Sequence, residues 1–415
     1  MYAFVSRGLG RRAGVAAALI ALVAYNALQI ALYGLFAVVF GDVLSSQFGL
    51  SVPWWVTAAV LWLLVAVLGV MRIDFNGKVL AVLMCLEVAI IILFDAVFLT
   101  HPAAGVSFDT LNPVGLLTLG TLPVLLTGVL GFVGFEQATI YAEEAKDRER
   151  TVPRATYACI VVIGLVYAAS AWAISIGTGV HQVAARSAAE NNQLIFNLAA
   201  PHLGGTIVTV GAWLMVTSVV AASLSFHNAV ARYGYALGRE RVLPRVFGTT
   251  SRHFSSPKVA SLTQSGLAAA FIAWYAIAGL DPLVHGFFWG GMLGGLGCLI
   301  LYTLAAVAIP AYFATNASDR SPWVKYIAPL LAAAALAVIT YVAVRDFGVM
   351  IGVPAGHTAA VALPATYLAV ALAGAAWATF LKAAKPRTFH TIGLGAHAAT
   401  GQTTTPTALA QEGTA

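Results

Sequence analysis

The chain is poor in charge: 9% of its 415 residues are Asp, Glu, Lys or Arg, against 60% that are hydrophobic, and its mean hydropathy is +0.87. That balance excludes an ordinary soluble domain and implies an all-α, polytopic membrane protein. Cysteine is nearly lacking. Cys85, Cys159 and Cys298 stand singly in apolar runs, which excludes a disulfide framework and a thiolate metal site and leaves them as packing or lipid-facing residues. Also missing are HExxH, GxSxG, a nucleotide-binding loop and any clustered His/Asp set. No enzyme chemistry, metal or cofactor is therefore expected. No signal peptide is expected either, because the run after Arg11 and Arg12 is too long for one.

Long apolar runs are what the chain has instead. A bilayer crossing needs about 20 mainly apolar residues, and that criterion places ten spans near 13–40, 53–71, 77–99, 116–142, 154–178, 204–233, 259–280, 284–311, 323–344 and 360–384. Asp281-Pro282 marks a tight hairpin between two of them. From Lys385 the sequence is rich in Thr, Ala and Gly without periodicity, so residues 385–415 read as a disordered tail. A net charge of +6 would point to nucleic acid in a soluble protein. Here the basic residues set orientation. With the N-terminus inside, all 22 Lys and Arg except Arg186 and Arg345 fall on the cytoplasmic side, which predicts cytoplasmic termini and an outer loop over 179–203.

Within the run at 116–142 stands Glu136. A carboxylate at membrane depth costs roughly 2.5–3.5 kcal/mol, so such residues usually face a cavity; the alternative is a helix end where Glu136 reaches interfacial water. Gly128, Gly131 and Gly134 precede it at intervals of three, each weakening a helix by about 0.8–1.0 kcal/mol relative to Ala. The segment is expected to break near its acid, although glycines so spaced also permit close helix packing. A break exposes amides at one end and carbonyls at the other, which can hold a zwitterion by backbone dipoles. Gly131, Phe132, Val133, Gly134, Phe135 and Glu136 are the candidate substrate-binding residues, with the phenyl rings as walls or merely packed side chains. The charge run "EEAKDRER" that follows reads as a solvated helix start.

The stretch "GFVGFEQATIYAEEAKDRERTVPRAT", residues 131–156, resembles the sixth-helix signature of the amino acid/polyamine/organocation permeases. "FHNAVARYGYALGRERVLPRVFG", residues 226–248, is similar to the end of that family's eighth helix and its following loop, and "YAFVSRGLG", residues 2–10, to the end of its second. The resemblance implies a transporter of two inverted five-helix repeats with the substrate near the midplane. It also implies that the first helix and most of the second are missing here. Residues 13–99 would be a remnant of the first repeat, 116–311 the second, and 323–384 two additional helices, all within a membrane domain over 1–384.

Energy coupling has its own candidates. Glu87 stands where the resemblance places a lysine in many family members; a buried carboxylate there can exchange a proton, ligate a cation or bond a neighbouring helix. Ser223 and Ser225 lie where family hydroxyls help to line a cation site, with His227 beside them, but serines also satisfy their own helix carbonyls. Tyr25 and Gln29 share a face of the first span and are vestibule candidates, or helix contacts. The sequence thus predicts secondary-active transport of an amino acid or related amine across the cell membrane, coupled to a proton or to sodium, with the bilayer and the small-molecule substrate as partners and no nucleic acid. The truncation leaves a second expectation open, a transport-incompetent interaction or sensor protein derived from a permease.

Overall fold

A computed structural model describes residues 1–71, 77–112, 114, 124–139, 147–250 and 256–395. Backbone groups in hydrocarbon must find partners within the segment, and the described long apolar runs accordingly coil. The helices are α1 (Tyr2–Leu9), α2 (Arg11–Phe48), α3 (Trp54–Met71), α4 (Gly77–Thr100), α5 (Val124–Phe132), α6 (Arg148–Thr178), α7 (Val183–Glu190), α8 (Leu194–Arg239), α9 (Lys258–Ile277), α10 (Gly290–Thr315), α11 (Ala328–Arg345), α12 (Phe347–Met350), α13 (Thr358–Ala384) and α14 (Pro386–Thr391). No strand occurs among the described residues. Nine of these segments are long and apolar enough to cross a bilayer, and they coincide with nine of the ten expected spans. The tenth, 116–142, is described only as α5 and a 3-10 turn, Phe135–Thr139; its remaining residues, like the first half of the "EEAKDRER" run, lie outside the described residues, while the second half starts α6 with Asp147 as its cap.

Three local features depart from a simple reading of the runs. The span expected at 204–233 lies within a longer α8, whose backbone kinks at Gly204 (φ 75°, ψ 164°) after Pro201. At the expected hairpin, Asp281 accepts from the amides of Leu283 (2.8 Å) and Val284 (2.7 Å), and so caps a wide π-type turn over Pro282–Trp289 that feeds α10. Beyond α13, where disorder is expected, the chain turns at Lys385, forms α14 and continues in described conformation to Gly395.

The chain divides into two compact units, one comprising 1–27, 230–264 and 293–415, the other 28–229 and 265–292. The first unit is held by close backbone approach. A Cβ on Gly8 would collide with the Ala308 carbonyl, and one on Gly374 would lie 2.7 Å from Ala16 Cα. Lipid tails are as apolar as leucine, so such small-residue seams supply packing where no hydrophobic drive between helices exists. Tyr367 adds a hydroxyl donated to the Leu293 carbonyl at 2.7 Å.

The second unit has two apolar clusters. Tyr33, Phe36, Val39 and Val43 of α2 meet Leu61 and Val65 of α3, Val216 and Val219 of α8 and Ala268 of α9. Phe94, Val97 and Phe98 of α4 pack with Ala173 of α6 and with Phe196 and Ala199 of α8. At one edge Asp42, near the end of α2, accepts from the side-chain amides of Asn192 and Gln193, each at 2.8 Å. This carboxylate clamps the turn between α7 and α8.

Candidate functional site

The helix breaks where the glycine spacing expects it. α5 stops at Phe132; Val133 and Gly134 form a turn, and Gly134 takes φ +118°, a conformation that glycine adopts without steric cost. The Val133 amide donates to the Leu130 carbonyl at 3.1 Å and the Gln137 amide to the Gly134 carbonyl at 3.0 Å, so the backbone tightens from α to 3-10 across the break. Glu136 is 2% exposed. Its Oε2 accepts from the Gly134 amide at 2.9 Å. The carboxylate thus folds back on the break instead of reaching for water, and one of the amides that the break exposes is already engaged by it.

α6 forms a wall beside this turn. A Cβ on Gly131 would lie 2.8 Å from Cε2 of Tyr167, and one on Gly164 would lie 3.5 Å from Cζ of Phe132. The Phe132 and Tyr167 rings meet edge to face with centroids 6.1 Å apart. Phe132 therefore packs against α6, and Tyr167, which the sequence does not single out, completes the aromatic pair. An aromatic in an apolar helix looks like any lipid-facing ring; the only signal is Gly164 one turn before it.

Glu87 and Asp95 lie two turns apart on α4 and each takes a hydroxyl from another helix. Ser218 of α8 donates to Glu87 Oε2 at 3.0 Å, and Ser170 of α6 donates to Asp95 Oδ2 at 2.6 Å. Both acids are half-buried. Gln29 is fully buried and its Nε2 donates to the Tyr33 hydroxyl at 3.2 Å and to the Ser223 backbone carbonyl at 3.1 Å. A vestibule candidate and a coupling candidate are thereby joined across α2 and α8. The Ser223 hydroxyl itself donates to its own helix at Val219 (2.7 Å). His227 is fully buried one turn on, whereas Ser225 is exposed; the structure does not bring Ser225 to the others. Tyr25 is buried, its ring edge-on to Tyr233 at 6.2 Å. Among the described residues no group of three His, Cys, Asp or Glu is placed to hold a metal ion.

The profile of the amino acid permease family matches residues 1–388. The chain is 24% identical over 280 residues to a methylthioribose transporter of Bacillus subtilis, covering 66% of this chain and 56% of that protein. It is 30% identical over 153 residues to a lysine-specific permease of Lactococcus lactis, covering 36% and 29% respectively, and 26% identical over 118 residues to a low-affinity putrescine importer of Escherichia coli, covering 28% and 25%. The matched stretches thus span little more than half the length of these curated relatives at most.

Proposed function

The chain belongs to the amino acid permease family, and from that membership we propose that it carries an amino acid or related organic amine across the cell membrane by secondary-active transport. The observation that supports this most is the interrupted helix at Val133–Gly134 with the buried Glu136 folded onto it. A broken helix inside an apolar span directs backbone dipoles at a small volume, and a carboxylate held by one of its amides adds a partner for an ammonium group. Phe132 and Phe135 wall the site, with Tyr167 behind Phe132. Relatives named for lysine and putrescine have a cationic amine as cargo, which agrees with an acidic residue at the break.

Coupling is assigned to a proton, with Glu87 as its carrier. Its hydroxyl partner on α8 orients the carboxylate without neutralising it, and a group so placed can load and release a proton as its surroundings alternate. Both termini are assigned to the cytoplasm on the distribution of Lys and Arg.

The test is uptake into proteoliposomes of labelled lysine, putrescine and a neutral amino acid under an imposed proton gradient or, separately, a sodium gradient. Proton-driven accumulation of at least one is expected. Gly134→Leu should abolish it with membrane insertion intact, because a branched side chain rejects the turn and favours a continuous helix. Accumulation driven by sodium alone would reject the proton assignment, and full activity in Gly134→Leu would remove the break from the site.

A further inference from the structure

Around Glu240, the residue that follows α8, three stretches of chain distant in sequence meet within one unit. Glu240 is fully buried. Its Oε1 accepts from the Tyr2 hydroxyl (2.9 Å) and the Gly395 amide (2.8 Å), and its Oε2 from the Gly393 amide (3.0 Å). The Thr391 hydroxyl donates to the Glu240 backbone carbonyl at 3.3 Å, and the Ser6 hydroxyl to the Ile392 carbonyl at 3.4 Å. The Arg11 guanidinium lies 5.7 Å from the centroid of the Phe389 ring. One carboxylate is therefore the joint at which the C-terminal stretch, α1 and the end of α8 converge.

The attachment is polar and local. The helix α13 ends at Lys385, whose backbone (φ −139°, ψ 68°) breaks the coil, and α14 is only six residues long. Pro386 and Arg387 are exposed, and the stretch buries few side chains, chiefly Thr388 and Ile392. A segment with little apolar burial that is tied by hydrogen bonds to a single group sits at the low end of local stability. Removing that group would leave three donors without their shared acceptor. The loop beyond Glu240 has a separate tie, since Trp377 of α13 donates to the Val242 carbonyl at 3.0 Å. It stays on α13 when the C-terminal stretch lifts.

We propose that residues 386–395 are a detachable strap that buckles onto the Glu240 carboxylate and, when fastened, holds α1 against the end of α8. Unfastening loosens α1, because Tyr2 shares the carboxylate with the strap and Ser6 bonds the strap itself, which leaves α1 only the Gly8 seam on Ala308 and the Tyr2 amide bond to the Tyr233 hydroxyl (3.3 Å) among these ties. The inference concerns a conformational lock and does not depend on the identity of any cargo.

Gly393 allows the lock to be tested without touching Glu240. It has φ +82°, and a Cβ there would lie 2.6 Å from the Ser6 hydroxyl oxygen, so Gly393→Val cannot dock. Hydrogen exchange read by mass spectrometry on the full chain in nanodiscs should show the amides of 391–395 exchanging about tenfold faster or more in Gly393→Val and in Glu240→Ala. Exchange in α1 should rise with them, trypsin should cut sooner after Arg387, and protection in α10 and α13 should be unchanged. Unaltered protection of 391–395 in Gly393→Val would overturn the proposal. So would loss of protection in α10 and α13 together with the strap, which would make the segment an integral part of the fold, or a released strap over an α1 that stays protected.

Discussion

Two buried glutamates, Glu136 and Glu240, are each met by backbone amides from glycines in left-handed conformation, and only the first is legible in the sequence. Glu136 sits in an apolar run, where any acid is conspicuous; Glu240 sits in "LGRERV", among charges that look solvated. Burial pushes the Glu240 carboxyl above the ordinary range, while the Gly393 and Gly395 amides, the Tyr2 hydroxyl and nearby Arg239 pull it back in part and Tyr233 faces it from α8. A carboxyl whose pKa is higher in the folded chain than in the unfolded one binds protons more tightly there. Its contribution to folding stability is then full below the ordinary glutamate value, about 4.3, and is lost as pH rises through the raised one. The difference in thermal unfolding between the parent chain and Glu240→Gln should therefore shift against the parent as pH rises above that ordinary value. Tyr167 offers a second check at this scale. Gly131→Ala places a methyl against its ring and should cost about 1–3 kcal/mol by overpacking; the same substitution in a Tyr167→Ala background should cost markedly less in thermal unfolding.

At the scale of elements, nine spans are readable because length and apolarity alone decide them, and the break in the tenth because three glycines precede an acid. What escapes is what depends on partners. The kink at Gly204, the π-type turn after Asp281 and the ordered α14 are set by caps and tertiary bonds rather than by periodicity. Residues 385–395 have the composition of a disordered tail, yet a carboxylate more than 140 residues upstream gives their amides an acceptor. The pairing of α2 with α8 through Gln29 is a similar case: the polar residues are visible in each helix, but not that they meet. Gln29→Leu keeps the volume and removes both donated bonds. It should lower stability by about 1 kcal/mol, the scale of such bonds in membranes, and a double-mutant cycle with Tyr33→Phe should show coupling.

For the whole molecule, orientation is the property that neither packing nor helix length decides, and the near one-sided placement of Lys and Arg is what predicts it. Single cysteines at Ser187 and Ser318, in a chain lacking Cys85, Cys159 and Cys298, should react with an impermeant reagent from opposite sides, Ser187→Cys from outside and Ser318→Cys only after permeabilisation. Labelling of both from one side would defeat the assignment. The clamp at Asp42 gives the molecule, in addition, a way to age. Deamidation of Asn192 or Gln193 turns a donor 2.8 Å from that carboxylate into a second carboxylate, and two like charges so close cannot both stay ionised at little cost. The turn between α7 and α8 would then come away from α2 with no backbone bond cut. A population of old molecules would carry a loosened rim that freshly made ones lack, written into the protein by time alone.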